Sequence, residues 1–360
     1  MKTTTVRPTP ARPAVSASPA ITCRAVEVSD GLTVEYVSVP DLSDAPRHRA
    51  DRSATQREIT AIDRALRSRP DLPAPDVGER AGDQVLRPNN PVAAALYRDR
   101  PALRAWRTDL VPSAMALTPL YRPEEPRLPN GAPIDRATRD IFLYAPDAIA
   151  IRSRAAIMSA IAGRYLSPTT ATRWTSLACG AAIPVFQALA GRRCRQVELT
   201  LVDLDAGALA HAAELGAAAG VGGEVDTRLL QRHLIREMIV SDRLVDEVGE
   251  ASQDLVDMLG IFEYIPAEFG ELKSASVFLR NAFRLLKPGG AVVAANMLDT
   301  HPRLAFNQRG IGWPRIFPRS IAELREILHD AGIPPEQVTM TLAADGVYAV
   351  LEIRKPSGAS

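Results

Sequence analysis

The sequence predicts an α/β protein: a mainly parallel sheet with a C-terminal antiparallel hairpin, plus an N-terminal helical cap. Three observations carry that expectation. After Pro168, short continuous apolar runs alternate with helical segments, the pattern of strands buried on both faces. At the end, VTMTLAADGVYAVLEIRK reads as two β runs around Asp345-Gly346, a hairpin turn signal. And 19 of the 29 prolines fall before residue 150, which breaks the first part of the chain into short pieces.

Taken in order, residues 1–52 read as a largely disordered or extended tail, because prolines among Ser, Thr and Ala bury too little apolar surface to offset ordering entropy. Within them, TVEYVSV is an isolated strand candidate. Residues 53–150 read as a helical cap. Ile59, Ile62 and Leu66 fall at helical spacing in a segment from Ser53, its expected N-cap, to Ser68. A proline-rich connector, RPDLPAPDVGER, leads to a second helix over 91–111 and, after another Pro/Gly stretch, to a long one over 135–165. Residues 151–357 form the α/β domain. RWTSLACG, VELTLVDLD, QDLVDMLGIF and GGAVVAANM are its expected strands. Helices are expected over 183–190, 206–219 and 271–286, the last with Val277, Leu279, Phe283 and Leu286 inward.

Bulk properties exclude several classes. With 46% hydrophobic residues the chain can bury a sizeable core, and 43 basic against 42 acidic residues leave no field that points to nucleic acid or membrane. Three cysteines without a Cys-x-x-Cys pair, and five scattered histidines, argue against a disulfide framework or a metal site. No run approaches a membrane span and no signal-peptide h-region is present; the sparse cysteines give the expectation of a cytoplasmic protein, and the absence of a basic patch that of a small-molecule substrate. A homodimer is left open.

Four segments then appear in a telling order: WTSLACGAA (Trp174–Ala182), LTLVDLD (Leu199–Asp205), DLVDMLGIFEYI (Asp254–Ile265) and FRLLKPGGAVVAANM (Phe283–Met297). Together they resemble the class I S-adenosylmethionine (SAM)-dependent methyltransferases, across roughly residues 150–355. The GIFEYI phrase and a Trp-Pro-Arg segment add a likeness to a bacterial small-molecule subgroup that includes makers of fatty-acid methyl ester signals. The resemblance implies a Rossmann-like sheet with SAM bound across the carboxyl ends of its strands. It departs from the family at Ser176, where the family carries an acid, and at Ala178 and Ala182, where it carries glycines. Alanine suits such a turn where φ is negative.

By this resemblance the cofactor residues are Ser176, Ala178, Cys179 and Gly180 in the turn, Asp203, Leu204 and Asp205 after the second strand, and Leu259 and Gly260 after the third. Asp203 is the expected acceptor of the ribose hydroxyls. Tyr264, Glu263 and His301 are the candidate general bases, in that order. Tyr144, Arg152, Asn296 and Trp313 are the candidate substrate contacts: Arg152, beside Arg154, offers a planar fork for a carboxylate, and Asn296 ends a strand at the open side of the sheet. Methyl transfer to O or N of a small molecule leads. Chemistry on the methionine arm with release of methylthioadenosine (a cyclase, lyase or aminocarboxypropyl-type transferase) is the alternative, and silent SAM binding a further one. A nicotinamide enzyme is disfavoured, since no G-x-G-x-x-G follows the first strand.

Overall fold

The computed structural model describes residues 20–80, 83–190, 192, 194–219, 225–313 and 316–358. The expected disorder of residues 1–19 lies outside them. Eleven strands occur among the described residues: β1 (Thr22–Ser29), β2 (Leu32–Ser38), β3 (Asp76–Arg80), β4 (Asp83–Arg87), β5 (Ala171–Leu177), β6 (Gln196–Asp203), β7 (Val225–Gln231), β8 (Gln253–Met258), β9 (Leu286–Met297), β10 (Val338–Ala343) and β11 (Tyr348–Arg354). Nine form one sheet in the order β1-β2-β10-β11-β9-β8-β5-β6-β7, and β3 and β4 form a separate hairpin. From β9 through β8, β5 and β6 to β7 the pairing is parallel, while β11 runs antiparallel to both β9 and β10. This is the α/β sheet with a C-terminal antiparallel hairpin that the sequence predicts.

The chain leaves β5 toward β6 and β7, then returns to place β8 and β9 on the other side. Strand order therefore reverses at β5 and β8, and a crevice opens at their carboxyl ends. The central strands are apolar throughout because helices cover both faces: Leu199, Leu201, Val256, Val292 and Val293 are fully buried. Each such side chain contributes about 1.5–3 kcal/mol relative to exposure. At the start of β9 the KPGG phrase has a steric cause. A Cβ on Gly290 would lie 2.8 Å from the carbonyl oxygen of Gln253 and 3.0 Å from that of Asp254, so only glycine lets β8 approach there.

Several expectations are corrected. The strand TVEYVSV is not isolated: β2 pairs in parallel with β10, and β1 extends the sheet beyond it, so residues 22–38 belong to the main sheet rather than to a tail. Ser53 is not an N-cap, because the helix begins at Arg49 and runs to Arg67. The proline-rich connector contains β3, whose β4 partner was not expected. The helix expected over 91–111 is a Pro91–Arg98 helix capped by Asn90, a short Pro101–Ala105 helix and a π-helical turn, Trp106–Leu110. The 135–165 helix breaks at Ala145, forced into an extended conformation ahead of Pro146, giving helices Arg136–Tyr144 and Pro146–Ala162. The boundary at 150/151 therefore falls inside a helix. On the Ser274–Arg284 helix the inward face is Ala275, Phe278, Leu279 and Ala282, with Val277 and Phe283 only half-buried. No described helix is long and apolar enough to cross a membrane.

Candidate functional site

The site begins where β5 ends. Ala178, Gly180 and Ala182 all take positive φ, 53°, 54° and 52°. The expectation that the two alanines sit at negative φ is thus overturned, at a cost of about 1–2 kcal/mol for each. Surrounding hydrogen bonds hold the turn there. Cys179 N–H donates to the Val202 carbonyl (3.1 Å), Ala182 N–H to the Cys179 carbonyl (2.8 Å), and Gly180 N–H to Asp203 Oδ2 (2.8 Å). The cap descends onto the same turn: a Cβ on Gly180 would lie 3.0 Å from Ala114 Cβ.

Asp203 closes β6 and ties the two strand ends together, since its Oδ1 also accepts from Asp205 N–H (3.0 Å). Burial pushes its carboxyl above the usual range, opposed by those backbone N–H groups. Each oxygen keeps a lone pair for a further donor. Asp205 does a different job from the one expected: its carboxylate caps the Ala206–Ala218 helix, accepting from Gly207 N–H (2.8 Å) and Ala208 N–H (3.2 Å). Leu204 is exposed and lines neither cavity described below.

One acid escaped the sequence reading. Asp257, in β8, is buried and accepts from Trp174 Nε1 (2.7 Å) and Ser176 Oγ (3.0 Å). Burial pushes its carboxyl up to about 7, with the Trp174 and Ser176 hydrogen bonds opposing. Ser176, standing where the resemblance led us to expect an acid, donates to a carboxylate from the neighbouring strand. A charged residue inside the apolar run DLVDML was the available signal.

A cavity of about 420 Å³ opens over these groups, lined by Ser176, the 178–182 turn, Asp203, Asp257, Leu259 and Gly260 below. Pro112, Ala114, Leu117, Thr118 and Tyr121 of the cap form its other wall. Small residues at the turn, a strand-end carboxylate and a polar floor fit a ligand with ribose and amino-acid ends. Nine of the expected site residues, Ser176, Ala178, Cys179, Gly180, Asp203, Leu259, Gly260, Tyr264 and Trp313, lie on this cavity. Cys179 is no nucleophile candidate: burial pushes its thiol well up, with Asp203 and Asp257 acting in the same direction.

A second, enclosed cavity of about 40 Å³ adjoins the first, and Leu117, Arg154, Gly260, Tyr264 and Trp313 line both. Tyr264 sits between them, its hydroxyl accepting from Trp313 Nε1 at 2.6 Å, and Trp313 leans on Trp106 at 5.7 Å between ring centroids. Burial pushes the Tyr264 hydroxyl far above its usual range, so it stays protonated at neutral pH. Glu263, on the short 3₁₀ turn after β8, is 3% exposed. It faces Arg154 at 3.6 Å, and Arg154 lies 4.4 Å over the Tyr348 ring. Burial raises the Glu263 carboxyl, and Arg154 offsets part of that rise.

The remaining candidates lie elsewhere. His301 is buried behind the second cavity: Nδ1 accepts from Arg303 N–H (2.8 Å), leaving Nε2 to donate to Asp147 Oδ1 (3.0 Å). Burial works against its protonation, but Asp147 more than offsets this, and its pKa is raised. With both nitrogens engaged it is not placed as a base. Arg152 pairs with Asp41 (2.6 and 2.9 Å) and donates to the carbonyls of Leu120, Phe142 and Leu143, so it pins the cap rather than a substrate. Tyr144 bonds His48 Nδ1 (2.8 Å) away from both cavities. Asn296 is fully buried and accepts from Arg319, whose other donors hold the carbonyls of Phe262 and Ile265. It braces the Glu263 turn instead of facing a ligand. Arg154, Asp147 and Asn307 line the second cavity.

A larger groove of about 750 Å³ lies between β2, the Arg49–Arg67 helix and the β10–β11 turn, away from this crevice.

Comparisons with known proteins give likeness of fold. No family model and no curated protein matches the chain. Among solved structures, a possible exported protein from Bordetella parapertussis superposes with a TM-score of 0.58 at 19% identity, over 87% of this chain and 99% of that one. An O-methyltransferase family protein from Burkholderia thailandensis gives 0.43 at 22% identity, over 62% and 61%. A 1,6-didemethyltoxoflavin N1-methyltransferase from the same organism, solved with S-adenosylhomocysteine, gives 0.37 at 18%, over 57% and 79%. The first of these shows a shared overall fold across nearly the whole of that protein.

Proposed function

We propose that this protein is a SAM-dependent transferase that moves a methyl group onto a small molecule, with the cofactor in the 420 Å³ cavity and the acceptor in the enclosed one. The observation that supports it is the shared wall. Tyr264, Gly260 and Arg154 border both cavities at the carboxyl ends of β5 and β8, so two ligands can meet there.

In this reading the 178–182 turn, Asp203 and Asp257 hold SAM, with the spare lone pairs of Asp203 accepting from the ribose hydroxyls. When bound, SAM supplies a methyl on a sulfonium that already carries a good leaving group. The chain then has to align the acceptor, exclude water and take a proton. The cap wall excludes water. Tyr264, fixed by Trp313, shapes the passage between the cavities. Glu263 takes the proton: one carboxylate oxygen has no hydrogen-bond partner, and burial moves it toward the pH at which a base is useful. This puts Glu263 ahead of Tyr264 and His301. A cytoplasmic setting goes with the three free cysteines.

The experiment is to incubate the purified protein with SAM, first alone and then with pools of small acceptors, and to follow products by mass spectrometry. Methyl transfer predicts stable SAM in the first arm and S-adenosylhomocysteine formation in the second. Methylthioadenosine forming from SAM alone, faster than without protein, would replace this reading with chemistry on the methionine arm.

A further inference from the structure

The enclosed cavity combines apolar walls with buried polar groups that lack partners. Asp147 Oδ2, Glu263 Oε2 and Asn307 Oδ1 accept no hydrogen bond, and Arg154 Nε and Nη1 donate none. These four residues are 8%, 3%, 5% and 2% exposed, and all line this one cavity. A buried polar group without a partner costs about 1–3 kcal/mol, more when charged. Five such atoms around one small space mark it as a polar site that a ligand or ordered water would satisfy.

The chemistry of that ligand follows from the atoms. Three orphan acceptors match a group with three N–H donors, an ammonium, and Arg154, whose Nε has no partner and whose Nη1 lies 3.6 Å from Glu263 Oε1, is the cation on which a carboxylate would rest. Charge balance gives the same answer. Arg154 faces Glu263, and Asp147 faces His301 through its other oxygen, where Asn307 Nδ2 also donates at 2.6 Å. Arg319 lies behind Glu263, with its donors on the carbonyls of Phe262 and Ile265 and on Asn296. A ligand of net charge would bring an uncompensated ion into this small, buried space, whereas a zwitterion would not. Size sets the last limit. About 40 Å³ admits only a few heavy atoms without rearrangement of Trp313 and Tyr264.

We infer that the enclosed cavity binds a compact zwitterionic amino-carboxylate, held by Asp147, Glu263 and Asn307 at the ammonium and by Arg154 at the carboxylate. The inference rests on the proposed function in taking this molecule as the acceptor, but the binding itself is separable. The site differs from the strand-end cradle described for SAM, and the ammonium and carboxylate in question belong to a second molecule.

Glycine is the probe, with methylamine and acetate as its two halves. The three tryptophans provide the readout by ¹H–¹⁵N NMR of their indole N–H groups, in the full chain with and without saturating S-adenosylhomocysteine. Trp106 and Trp313 line the cavity, whereas the Trp174 indole is held by Asp257 and serves as the internal control. Glycine should shift the Trp106 and Trp313 signals saturably, at least tenfold more tightly than either half, with S-adenosylhomocysteine bound. Arg154→Gln should abolish the advantage over methylamine, and Glu263→Gln the advantage over acetate. Should either variant fail to fold, the three-probe comparison on the unaltered chain decides alone. Glycine binding no tighter than its halves, or no shift from any probe, would overturn the inference and leave a hydrated cavity. Competition between glycine and S-adenosylhomocysteine would overturn it too, assigning the polar atoms to the methionine arm. If glycine binds while S-adenosylhomocysteine does not, the amino-carboxylate site stands and the SAM reading falls.

Discussion

Asp257 makes the stability of this protein depend on pH in a direction opposite to that of a paired surface carboxylate. Its carboxyl is pushed from the usual 3.8 to about 7 by burial that two hydrogen bonds only partly offset. Between about pH 4 and 7 the folded chain therefore holds a proton that the unfolded chain has lost. Stability falls as pH rises wherever the native state binds more protons, so the loss accumulates across that window and levels off above pH 7. A shift of roughly three units corresponds to about 4 kcal/mol at full development. Below pH 4 both states are protonated and the cost is absent.

The perturbation that isolates this effect is Asp257→Asn. The amide oxygen can still accept from Trp174 Nε1, now 2.7 Å from Oδ1, and the Ser176 hydroxyl can rotate to accept from the new NH₂ group. Near pH 4 the variant should be close to the wild type in stability. By pH 8 it should be the more stable by up to about 4 kcal/mol, because it carries no charge to bury. Urea unfolding of both chains at unit pH intervals measures this, and the difference between the two curves removes every other titrating group. A difference that stays flat within about 1 kcal/mol from pH 4 to 8 would refute the reasoning, since the measured gap is the titration of this one group.

Other substitutions separate structural from chemical roles. Gly290→Ala should lower stability by about 1–3 kcal/mol in thermal unfolding, because its Cβ would press on the carbonyls of Gln253 and Asp254, backbone atoms that cannot swing away. Arg152→Met should cost about 3–5 kcal/mol by leaving Asp41 buried without its partner, yet the affinity of the folded protein for S-adenosylhomocysteine should not change; a selective loss of binding would restore Arg152 to the site. Glu263→Gln should lower kcat about 10²-fold or more at pH 8, with KM little altered. Because the base must be ionised, wild-type kcat should fall on acidification through the raised Glu263 pKa, and that acid limb should vanish in the variant.

What the sequence revealed depended on whether local pattern or distant packing decided the outcome. The strands β5, β6, β8 and β9 were legible because each is a short apolar run bounded by breakers, and the β10–β11 hairpin because Asp345-Gly346 can turn only one way. Gly346 indeed takes φ 71°. β7 was missed because it lies at the sheet edge with most of its residues exposed, so no apolar pattern marks it. β1 was missed for the same reason. The 178–182 turn was located correctly but its conformation was not, since alanine at positive φ is stable only where neighbouring hydrogen bonds over-determine it.

The case of Arg152 and Arg154 shows the limit most clearly. They stand two residues apart on the Pro146–Ala162 helix, which turns them about 200° away from each other. On an amphipathic helix the polar stripe would tell which one faces water and which one faces inward. This helix is buried on nearly every side, so its sequence carries no such stripe. What orients it is outside: Asp41, some hundred residues earlier, captures Arg152, and Glu263, some hundred residues later, faces Arg154. Choosing between two arginines with the same local context therefore required both distant acids to be in place. The cap and the strand ends define the pocket jointly, and the arginine that lines it is the one whose partner stands on the turn after β8.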